Sequence, residues 1–202
     1  MMLNYASMTA KIIPFPTREE VNLTEGERDA ILLAADELIA KGGKELLVQV
    51  LKGMRSELVV AAGAEGMRHF GSLGTLTLSQ IEARLDRMLE EDLLRIEHYW
   101  ELPLVVHSPA GWERTTHLWA DQLYDAIRDR ASVGDVAGIF AEVGRVHREV
   151  KMLVLELVET RGDSGFVSVL ESWREREGKR MKRRISEVLE RLRCASPSSS
   201  PL

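Results

Sequence analysis

Cysteine is almost absent from this chain of 202 residues: Cys194 stands alone, so no disulfide can form within it. That usage fits a reducing compartment. No apolar run approaches the roughly 20 residues that a membrane span requires. Met1–Pro16 carries one charge, Lys11, and has neither the long apolar centre nor the small-residue cleavage site of a secretory signal. The expectation is a cytoplasmic protein with no membrane partner. Surplus positive charge is missing too, with 27 Lys and Arg against 32 Asp and Glu and a net charge of −5. Phosphates are held mainly by clustered cations, so any polyanion-binding reading must work against this balance. Hydrophobic residues make up 45% of the chain, which excludes global disorder and leaves enough for one or two cores.

The charge is unevenly spread. Residues 24–113 hold 9 Lys and Arg against 16 Asp and Glu, whereas residues 114–202 hold 16 against 14. Residues 1–22 form a leader without helical or strand periodicity, in which Pro14 and Pro16 flank Phe15. Order begins at Thr24, where Thr24-Glu25-Gly26-Glu27 is a capping box followed by Ile31, Leu32, Ala35, Leu38 and Ile39 at helical spacing. The pattern predicts further helices over Lys44–Lys52, Arg55–Ala62 and Leu78–Asp92, with a glycine-rich loop over Gly63–Gly74. Leu93–Tyr99 and Leu102–His107 read as a β-hairpin closed by Ser108-Pro109-Ala110-Gly111. Several helices followed at once by a β-ribbon outline a winged helix-turn-helix. From Thr115 onward the pattern is helical, including one long helix over Val136–Thr160, and Cys194–Leu202 is a Ser/Pro-rich tail. The fold class is therefore mainly α with a small β-hairpin wing. It divides into a leader (1–22), a winged-helix domain (23–113), an α-helical domain (114–193) and a disordered tail (194–202).

The residues from Gly43 to Gly111 resemble the RecQ-C-terminal (RQC) winged-helix domain of RecQ helicases. The likeness is carried by Val50-Leu51-Lys52-Gly53, Phe70-Gly71 and Ser108-Pro109-Ala110-Gly111, in that order. The chain departs from the helicases in three ways. It has no phosphate-cradling motor motif, no cysteine cluster for zinc, and Met54 where the family has a phosphate-contacting Ser. The resemblance thus implies a free-standing RQC-type module of a bacterial DNA-binding protein. A weaker likeness to a HEAT-type helical repeat runs from Leu153 through Arg161-Gly162-Asp163 to Lys182-Arg183-Arg184-Ile185.

Carried onto this chain, the resemblance implies that DNA is contacted by Lys52, Arg55 and Ser56, at a turn opening a helix, and by the wing tip Tyr99-Trp100. An aromatic at that tip would stack on the terminal base pair; alternatively, Tyr99 and Trp100 pack on the C-terminal helices. The helix over Leu78–Asp92 has too many carboxylates to read a groove, and Glu91 is expected to pair with Arg95. The densest basic run includes Lys179, Arg180, Lys182, Arg183 and Arg184, and reads either as a solvated face or as a phosphate-tracking patch. His69, His98, His107, His117 and His147 include no ligand pair at metal spacing, and no nucleophile has an evident base. No cofactor, metal or catalytic residue is expected. The function read from the sequence is non-catalytic recognition of duplex, fork or junction DNA. The alternative is a protein-interaction adaptor or a transcriptional regulator, the latter a homodimer through the apolar segment Val136–Val158.

Overall fold

The computed structural model of the chain describes residues 22–39, 41–100, 102–162 and 164–195. Asn22 apart, the expected leader lies outside them, as does the expected tail beyond Ala195. Thr24 opens helix α1 (Glu25–Glu37) with a reciprocal cap. Its Oγ1 accepts from the Glu27 amide at 3.2 Å, and the Glu27 carboxylate accepts from the Thr24 amide at 2.9 Å. Two otherwise orphaned donors are satisfied this way. Helix α2 (Lys44–Lys52) stops at Gly53, whose φ of 78° is left-handed and suits glycine. Helix α3 (Glu57–Ala61) is capped by Ser56, and α4 (Leu78–Glu90) opens with a second capping box, Thr77 with Gln80. Strands β1 (Leu94–Tyr99) and β2 (Leu102–His107) form an antiparallel ribbon running from Leu94↔His107 at its root to Tyr99↔Leu102 at its tip. Ile31, Leu32, Leu47, Leu51, Ile81, Leu85, Met88, Leu94 and Val105 lie in one core beneath this ribbon. Burial of each larger side chain there contributes about 1.5–3 kcal/mol.

The ribbon runs directly into α5 (Pro109–Ser132). The expected turn over Ser108–Gly111 is in fact the cap and first turn of this helix. The Ser108 hydroxyl accepts from the Gly111 amide at 3.0 Å, and Pro109 takes the first helical position, where its missing N–H costs nothing. Four more helices follow: α6 (Val136–Val143), α7 (Arg148–Arg161), α8 (Val167–Arg176) and α9 (Lys179–Ala195). The long helix expected over Val136–Thr160 is therefore two, because Gly144 ends α6 and the extended backbone of His147 starts α7 afresh. Tyr124, Ile127, Val154, Leu155, Phe166, Leu170, Trp173, Ile185 and Leu189 fill a second core. Helix α5 serves both, with Leu118 against the first core and Leu123, Tyr124 and Ile127 in the second. Polar links cross the joint beside it: Arg114 to Asp29 at 2.6 Å, Trp119 Nε1 to Asp36 at 2.8 Å and Arg68 to Gln122 at 3.0 Å. The architecture is a winged helix-turn-helix followed by an α-helical region. No helix among the described residues is long and apolar enough to cross a membrane.

Candidate nucleic-acid interface

The ribbon ends in bare aromatic surface. Tyr99 is 67% exposed, Trp100 88% and Leu102 65%. Neither ring packs on the C-terminal helices. The Tyr99↔Leu102 pair closes a tight turn that requires left-handed backbone, and Trp100 supplies it with φ of 58°. Asn, Asp and Gly take that conformation readily, but a bulky residue there costs of order 1–3 kcal/mol. Trp100 is thus held in an unfavourable backbone state with its indole in solvent, and packing within the chain repays neither.

Two of the three segments that carry the family likeness, Val50–Gly53 and Phe70-Gly71, meet at the end of α2. The amides of Gly71 and Leu73 donate to the carbonyls of Val50 and Leu51 at 2.8 and 2.9 Å. A Cβ on Gly53 would lie 3.0 Å from the Gly71 Cα, so the two backbones touch only as glycines. Lys52 completes this clamp: its ammonium donates to the carbonyls of Gly74 and Leu76 at 2.7 and 2.8 Å. It is turned into the loop as a brace, not outward as the resemblance implied. Ser56 caps α3 by accepting from the Val59 amide, and its hydroxyl donates to Gln49 Oε1. Arg55, beside them, is largely exposed, with only a loose 3.6 Å approach to Glu65.

Most other cations of this half are spent internally. Arg84 pairs with Glu27 at 2.7 Å, Arg87 with Glu91 at 2.8 Å, and Arg28 also with Glu91. Glu91 is therefore occupied, and the expected Glu91–Arg95 pair does not form. Arg95 instead makes two hydrogen bonds to Asp92, at 2.7 and 2.9 Å, which hold that carboxyl below its usual range. Most carboxylates along α4 are paired, Asp86 with Lys44 of α2 at 2.5 Å and Glu90 with Arg87 at 3.6 Å.

On α9 the basic run divides. Met181, Ile185, Val188, Leu189 and Leu192 face the core. Arg180, Lys182 and Arg183 are exposed, Arg183 with a loose approach to Glu187 at 3.6 Å. Arg184 departs from the expected patch: it is mostly buried and donates to Glu159 at 2.7 Å, because its position turns it toward α7. Arg148, which nothing in the local sequence set apart, stands exposed at the start of α7. His107 has a structural role that local pattern does not reveal. Its Nε2 lies 3.0 Å from the Leu32 carbonyl, and burial pushes its pKa below the ordinary value. Among the described residues no group of three or more His, Cys, Asp or Glu is placed to hold a metal ion.

A family model described as the RQC domain matches residues 17–116. No curated protein and no solved structure gives a significant match to the chain. The family match ends early in α5, so the HEAT-type likeness of the C-terminal half gains no support from it.

Proposed function

Because residues 17–116 belong to the RQC family of DNA-binding winged helices, we propose that the chain is a non-catalytic binding protein for duplex ends, forks or junctions. The wing tip is its contact with the terminal base pair. Tyr99 and Trp100 provide the stacking surface, and Arg55, on the turn braced by Lys52 and Ser56, provides a backbone-phosphate contact. The exposed positions Arg180, Lys182 and Arg183 supply phosphate contacts in the C-terminal half. Arg184 belongs to the fold. One observation carries the reading: an indole 88% exposed on a left-handed turn residue at the tip of a ribbon. Both its exposure and its backbone state are unfavourable without a ligand. A planar base covers the indole, and its stacking, worth about 1–3 kcal/mol, offsets a strain of the same order that remains in the backbone. Recognition then rests on DNA shape and backbone more than on sequence.

Fluorescence anisotropy with blunt, forked and single-stranded DNA at two salt concentrations tests this. The expected result is a preference for forked ends that Trp100→Ala weakens by roughly 5- to 150-fold, the equivalent of about 1–3 kcal/mol. Equal affinity for all three DNAs, unchanged by the substitution, would refute it. A second reading is favoured by the self-paired cations of the winged helix: a protein-interaction adaptor using the same apolar tip. Absence of DNA binding even at low salt supports that reading.

A further inference from the structure

Arg148, Lys151, Lys179 and Arg180 line one depression of about 390 Å³ where the starts of α7 and α9 meet, with Glu177 and Gly178 beside them. Glu177 does not neutralise this group. Its burial works to raise its pKa, but the Lys151 ammonium at 2.7 Å and the Trp173 indole N–H at 2.9 Å outweigh that and hold the carboxyl ionised. The Glu177 charge is thereby matched by Lys151. Arg148, Lys179 and Arg180 are exposed and have no ion-pair partner among the described residues. Their placement works against the fold. The first turn of a helix favours carboxylates and disfavours cations, yet α9 has no acid in its first turn, and both Lys179 and Arg180 lie there. Helix α7 has Glu149 in its own first turn, but the cations crowded at the start of α9 weaken the native state unless an anion joins them.

A chain of ring contacts connects the depression to the wing root. His107 at the ribbon root meets Trp112 edge-on at 6.0 Å, and Trp112 meets His147 edge-on at 5.4 Å. His147 immediately precedes Arg148. A six-residue ribbon is about 20 Å long, which corresponds to about six phosphate steps along one strand.

We propose that Arg148, Lys179 and Arg180 form a second phosphate-binding site, next to the wing root, that grips the sugar–phosphate backbone of the same DNA the wing tip contacts. The phosphate chemistry stands on these three charges alone; its assignment to nucleic acid rests on the DNA-binding reading above. A small phosphorylated molecule shares the chemistry, and the experiment separates the two sources.

The test uses the full chain. Affinity for forked DNA is measured across a salt series for the wild type, for the triple variant Arg148→Gln, Lys179→Gln, Arg180→Gln, and for Arg148→Glu alone. Tripolyphosphate binding is measured by calorimetry alongside. The triple variant should lower the slope of log affinity against log salt by about 2–3, at about 0.9 for each phosphate it no longer neutralises. It should also keep the preference for forks and melt no lower than the wild type. Arg148→Glu, in a different helix, should weaken binding in the same direction. If DNA binds and neither variant changes the slope, the site is overturned. If the wild type binds tripolyphosphate but no DNA, and the triple variant does not bind tripolyphosphate, the DNA-binding reading fails together with the nucleic-acid source. If the wild type binds neither, both proposals fall.

Discussion

Replacing Gly111 by Ala probes how the wing is fixed to the rest of the molecule. Gly111 lies in the first turn of α5 and is buried against the segment that feeds β1. A Cβ there would sit 1.9 Å from the Leu93 carbonyl oxygen and 2.8 Å from its carbon, both backbone atoms. Ordinary van der Waals separation begins near 3.4 Å, so α5 and Leu93 must part by about 1.5 Å. That separation acts on the Ser108 amide, which donates to the same Leu93 carbonyl at 3.1 Å, and on the Ser108 hydroxyl, which donates to the Asp92 carbonyl. Overpacking of this kind costs about 1–3 kcal/mol. A buried carbonyl left without its partner adds about 1–3 kcal/mol. Alanine's better helix propensity returns at most about 1 kcal/mol. The net expectation is a destabilisation of about 1–5 kcal/mol, which in a chain of 202 residues lowers Tm by about 2–4 °C for each kcal/mol. Thermal and urea unfolding followed by circular dichroism measures it. A variant that melts at or above the wild-type temperature would refute the close approach, because helix propensity would then be the larger effect.

Further substitutions address the pH response and the division between scaffold and binding surface. Burial holds the His107 pKa below the unfolded value of about 6.5, so the unfolded state takes up its proton first as pH falls. Stability should therefore decline from about pH 7 downward, and His107→Gln should flatten that decline; superimposable pH profiles would contradict it. Thr77→Ala removes one side of the α4 capping box and should cost about 1 kcal/mol in urea unfolding. Arg184→Gln should destabilise by roughly 1–3 kcal/mol by removing the bond to Glu159. Its affinity for forked DNA should stay within about twofold of the wild type, and a larger fall would return Arg184 to the binding surface.

Much of the fold is legible from short-range signals. Thr24 and Thr77 announce α1 and α4 because a capping box is complete within four residues, and Gly53 ends α2 through a backbone preference of its own. The ribbon is legible from two short apolar segments separated by Trp100 and Glu101. The first turn of α5 is not, because Pro and Gly beside a hairpin read equally as a turn; only the approach of Leu93 shows why a glycine stands within a helix. The break at Gly144–His147 is hidden by apolar residues that keep helical spacing across it. Among the candidate DNA-binding residues, exposed Arg55 and Trp100 can be placed by local pattern. Lys52 and Arg184 cannot, because their partners are distant in sequence: the carbonyls of Gly74 and Leu76 for the first, Glu159 for the second. Arg148 shows the converse, a cation far from the basic run in sequence that folding sets beside Lys179 and Arg180.

The wing tip is proposed to meet DNA through its exposed indole. The other three tryptophans each donate their indole N–H to a carboxylate: Trp112 to Glu149, Trp119 to Asp36 and Trp173 to Glu177. Titration of the nitrogen-15-labelled chain with a forked duplex, followed at the four indole N–H resonances, tests the claim directly. The resonance that disappears in Trp100→Phe should shift or broaden most, with that of Trp119 as the internal reference. If binding occurs and the Trp100 resonance stays where it was, the wing tip is not where DNA binds.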